Sequence, residues 1–200
     1  MNRQGAHEAA RRFVPKPAAR TASLTVHAAS LADAASNGRL PKTDKKTSMY
    51  SFVLITHSWL RWAVLVLGAL VLIFAARGVS TGASWSAREQ RLHQAFMGVL
   101  DTQFTLGALL YLWLSPITSA VFSNFGAAMK NPQLRFFGLE HAVTMLIAVG
   151  VAHIGKVRAQ RKQGPAQTRS VLITQLLWLL LTLAAIPWPV LDIGRPLFRM

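Results

Sequence analysis

Four stretches of the chain carry almost no polar residue, and short polar connections separate them. They cover about 52–76, 93–115, 137–155 and 170–188. Leu, Val, Ile, Ala and Phe fill them without the alternation that a half-buried strand requires, so membrane β-strands are excluded. Each stretch approaches the roughly 20 residues with which an α-helix crosses about 30 Å of hydrocarbon. The pattern therefore predicts an all-α integral membrane protein, a four-helix bundle over residues 49–200.

Residues 1–48 break the pattern. They are rich in Ala, Ser and Arg and hold no apolar run long enough for a core. This composition predicts a disordered basic arm. Arg11-Arg12-Phe13 glances at a twin-arginine signal, but no apolar region follows it closely. The expected start of translation is Met49, with the arm outside the native protein.

Composition changes the picture in two places. The chain is 52% hydrophobic and only 14% charged, yet its 22 Lys and Arg against 7 Asp and Glu leave a net charge of +15. A basic surplus can signal nucleic acid, but here it sits in the arm and loops without interleaved aromatics, so no nucleic-acid partner is expected. The loop cations instead set an orientation. Arg77, Arg88 and Arg91 lie in the first loop, and Lys156, Arg158, Arg161, Lys162 and Arg169 in the third. The second loop has only Lys130 and Arg135, and the tail Arg195 and Arg199. By the positive-inside rule, loops 1 and 3 face the cytoplasm and both termini lie outside. Tyr50, Trp59, Trp62, Tyr111, Trp113 and Trp188 then form an outer interfacial belt.

There are no cysteines. Disulfides, iron–sulfur clusters and thiolate zinc sites are excluded, as is haem attached through C-x-x-C-H. Nor does the chain carry a P-loop, an H-E-x-x-H motif or a serine-hydrolase arrangement. Chemistry must come from polar residues inside the apolar segments, where lipid makes an unpartnered group costly.

Those residues are few. His57 and Arg61 share a face of the first segment, and Gly68 continues it. The second segment has Asp101 and Gln103, the third opens with Glu140 and His141, and the fourth offers Gln175, Trp178 and Thr182 on one stripe. The first and third segments enter from the same side, which places His57 and His141 about 7 and 6 Å below one surface. Two imidazoles at equal depth predict a b-type haem between them, with Arg61 near a propionate. Competing readings are a structural cluster of Arg61 with Asp101, Gln103 and Glu140, a copper site adding Met145, and a proton or solute path. His93 and His153 offer a second pair near the other surface.

Several motifs resemble a family of small four-helix bacterial membrane proteins, some of which carry the label cytochrome b. They are His57-Ser58-Trp59-Leu60-Arg61, Gln103-x-x-x-Gly107-x-x-x-Tyr111, Leu114-Ser115-Pro116, Met129-Lys130, Arg135-Phe136, Glu140-His141-x-x-x-Met145 and Pro187-Trp188-Pro189 with Arg195. The resemblance covers residues 49–200 and marks His57, Arg61, Glu140 and His141 as motif positions. Some relatives have His where this chain has Asp101. It implies a multi-pass protein of the bacterial inner membrane. Two functions follow as expectations. One passes electrons through haem between a quinone and an outer redox partner. The other is a cofactor-free membrane helper, for assembly, stabilisation or a small solute.

Overall fold

The structure is a computed structural model and describes residues 45–198, so the expected arm lies outside the described residues up to position 44. Residues 45–48, expected to belong to that arm, are instead the first turn of a helix. All regular structure among the described residues is helical.

Helix α1 spans Lys45–Thr81 and α2 spans Ala87–Leu109, continuing through a π-helical turn at Leu110–Leu114. Three short helices follow, α3 (Pro116–Ser123), α4 (Phe125–Ala128) and α5 (Pro132–Arg135). A second π turn, Phe136–Glu140, leads directly into α6 (His141–Gln160), and α7 (Gly164–Ala185) completes the bundle. Four helices are long and apolar enough to cross a membrane: α1, α2 with its π turn, the run Pro132–Gln160 that contains α6, and α7. The molecule is a helical membrane bundle.

Local chemistry fixes the ends. Ser86 caps α2 in a capping box: its Oγ accepts from the Glu89 amide while Glu89 Oε2 accepts from the Ser86 amide at 2.7 Å. Ser115 caps α3 ahead of Pro116, and Asn131 caps α5 ahead of Pro132, proline being suited to a first turn that has no amide partner. Gly82 takes φ +69° in the turn after α1, a conformation that other residues adopt at a cost.

Helix α1 packs on α2 and α7, and α6 packs on α7; α2 and α6 meet much less closely. This order sets α1 and α6 on opposite corners. The core is built where small residues admit large ones. Trp178, fully buried, lies over Gly68, its ring edges T-shaped on Phe96 at 4.7 Å between centroids, and Gln175 Nε2 donates to the Gly68 carbonyl at 3.1 Å. Gly155 lets Thr174 approach in the same way between α6 and α7. Outward faces are apolar, with Phe52, Val66, Leu146, Ile173 and Leu180 more than half exposed. That is the inverse of a soluble bundle and is what lipid contact requires.

Candidate functional site

Of the residues singled out from sequence, the candidate ligands lie toward the end of α2 that leads into its π turn, and Asp101 with His153 lies apart from them on the outer face.

At the end where α2 gives way to its π turn, the His57 ring turns toward α2. Gln103, buried, donates through Nε2 to the His57 carbonyl at 3.0 Å, and the same nitrogen stands 3.3 Å from His57 Nε2. The ring rests against Gly107, where a Cβ would meet His57 Cε1 at 3.2 Å. Since the amide donates, His57 Nε2 accepts and Nδ1 carries the proton. That Nδ1 is buried and meets no partner among the described residues, and neither does Gln103 Oε1.

His141 follows the second π turn and faces the end of α7. Its Nδ1 lies 2.8 Å from the Ala185 carbonyl, so Nδ1 donates and Nε2 keeps its lone pair. Phe136 and Phe137 flank the ring at 6.0 and 6.4 Å between centroids. His57, Arg61 and His141 lie within electrostatic reach of one another. The tail closes this end: Arg61 Nη2 and Trp62 Nε1 both donate to the Leu197 carbonyl, at 2.7 and 3.2 Å, and Phe198 packs on Trp59 and Trp62. Tyr111 in the first π turn donates to the Gly138 carbonyl in the second at 2.7 Å and ties the two together.

The buried polar cluster expected from Asp101, Gln103 and Glu140 is not assembled. Glu140 is exposed and pairs with Arg135 at 2.7 Å. Asp101 faces outward and pairs with His153 at 2.8 Å. Only Gln103 is buried. Arg61 accordingly meets the Leu197 carbonyl rather than either acid. The second histidine pair is absent as well, because His93 is buried against Phe96 and Trp85 while His153 takes the partner on α2.

Sequence reasoning missed the Asp101–His153 pair, although both residues stand out as ionisable groups in apolar runs. Among the described residues no three His, Asp or Glu side chains gather as a metal site. No protein-family model, curated protein or solved structure matches the chain.

Proposed function

We propose that this multi-pass membrane protein belongs to a bacterial inner membrane, with the loops at 82–86 and 161–163 cytoplasmic. In this reading it carries electrons between a quinone and an outer redox partner through a b-type haem held by His57 and His141. The observation that carries the reading is the His141 Nδ1 contact with the Ala185 carbonyl. Metal-ligating imidazoles almost always donate their second nitrogen to such an acceptor, which fixes the ring and leaves the other nitrogen for the metal.

The donor set fits. His141 offers Nε2, and His57 is a second imidazole in electrostatic reach of it, whose lone pair is on Nε2. Gln103 occupies His57 Nε2 and would have to yield it. Arg61, held on the Leu197 carbonyl at the same end, supplies positive charge for a propionate. When bound, the haem would supply one-electron redox chemistry; the protein's part is to hold both rings and to shield them behind Phe136, Phe137 and the tail.

One observation favours the cofactor-free alternative. The bonds from Gln103 to both the ring and the carbonyl of His57 already satisfy part of the group, as in a packing contact between helices. Reduced-minus-oxidised spectra of the protein purified in mild detergent decide between the two. Soret and α bands lost in His57→Ala and in His141→Ala, and strengthened in Gln103→Leu, support the haem. Colourless, metal-free protein from haem-replete cells leaves the helper reading.

A further inference from the structure

Asp101 and His153 are the one acid–base pair among the described residues that lies across two spans. Their side chains are 51% and 48% exposed, and Oδ1 and Nε2 stand 2.8 Å apart. Asp101 is eight residues, about 12 Å, beyond His93 on α2, and His153 is three residues, about 4–5 Å, before Lys156 on α6, so the pair lies in the part of the hydrocarbon nearer the end that carries residues 161–163. The large outward residues elsewhere on the spans are mostly apolar, as with Val66, Ile147 and Leu180, while Thr102 and Thr105 are exposed beside Asp101. An ionisable pair on such a surface is costly, and inside a membrane it marks a functional site rather than a packing device.

The surroundings are open rather than packed. The pair bridges the seam between α2 and α6, the loosest contact between neighbouring spans. Gly98 and Gly150 lie one turn from Asp101 and His153 on opposite sides of the pair, and a Cβ at either would meet nothing within 4 Å. The neighbouring hydroxyls do not compete for the carboxylate, since Thr102 donates to the Gly98 carbonyl and Thr105 to that of Asp101. A shallow surface groove lies on α6 beside the pair, lined by His153, Ile154, Val157, Arg158 and Arg161 of that helix.

The Oδ1–Nε2 contact gives the carboxylate and the imidazole one shared hydrogen bond, along which a proton can be held by either partner. The other charges bordering it are few. On α6 they are Lys156, Arg158 and Arg161; on α2 the next titratable group, His93, is turned into the core.

We infer that Asp101 and His153 form a proton-binding site within the membrane, loaded along the groove from the face that carries residues 161–163. The inference is independent of any cofactor at His57 and His141. Its test uses the full chain in phosphatidylcholine vesicles and dicyclohexylcarbodiimide, an apolar reagent that attacks protonated carboxyls, with adducts located by peptide mass mapping. Asp101 is expected to be modified several-fold faster as pH falls, and at higher pH in His153→Leu than in the wild type. In vesicles holding a pH gradient, modification is expected to follow the compartment facing residues 161–163, identified by a maleimide-reactive cysteine at Gln163. Asp101→Asn should remove the adduct, leaving signals from the other carboxyls, Glu8, Asp33, Asp44, Glu89, Glu140 and Asp192. The inference fails if Asp101 is unreactive at every pH, if His153→Leu leaves the pH profile in place, or if reactivity follows the opposite compartment. It fails too if Asp101 reacts only after dilution into excess lipid, which would make this seam a contact between copies of the chain.

Discussion

A methyl group at Gly68 would stand 2.3 Å from the Trp178 ring and 3.2 Å from Gln175 Nε2. The close approach of α1 and α7 therefore depends on a residue with no side chain. Gly68→Val is expected to cost about 1–3 kcal/mol as overpacking, read as a lower midpoint of thermal unfolding in detergent. Gln175→Leu removes only the bond to the Gly68 carbonyl and should cost about 0.6 kcal/mol, the average for such bonds in membranes. The sequence made this part legible. Gln175, Trp178 and Thr182 recur at helical spacing among leucines, and Gly68 lies on the face of His57 and Arg61. Partners were not legible. Period alone tells which way Asp101 points relative to its own helix, and nothing in it names His153, fifty-two residues away, as the group it meets.

Periodicity misled where the helix changed period. A π turn inserts one residue, so side chains five apart come to share a face instead of those four apart. Arg135 and Glu140 are five apart and meet across the second π turn at 2.7 Å. An uninterrupted 3.6-residue period from residue 137 instead turns Glu140 inward beside His141. The two placements differ measurably. Removing one partner of a buried ion pair costs about 3–5 kcal/mol, whereas an exposed pair contributes under about 1 kcal/mol. Glu140→Gln is expected to fall in the second range, with a thermal midpoint close to that of the wild type. The bond from Tyr111 to Gly138 is the stronger element of this end. Tyr111→Phe should lose about 1 kcal/mol, with amide exchange rising in 110–114 and 136–140 while α7 is unchanged.

The described residues form four apolar helices whose one long connection, between the second and third spans, lies at one end. The turns at 82–86 and 161–163 are short, and Arg77, Arg88, Arg91, Arg158, Arg161 and Lys162 crowd around them. The opposite end carries α3, α4, α5, the two π turns and the tail on Arg61, with Lys130, Arg135 and Arg195. The charge asymmetry predicts that the turns stay in the cytoplasm. The arm argues the other way, since residues 1–48 hold nine Lys and Arg and would sit outside in that orientation. Because the chain has no cysteine, single substitutions report each end cleanly. Gln133→Cys should react with a membrane-impermeant maleimide on intact cells, and Gln163→Cys only after permeabilisation. The reverse pattern would keep four crossings and show that the arm is made and governs insertion. Reaction of both from one side would mean that the run Pro132–Gln160 does not cross, and the bundle would have to be redrawn.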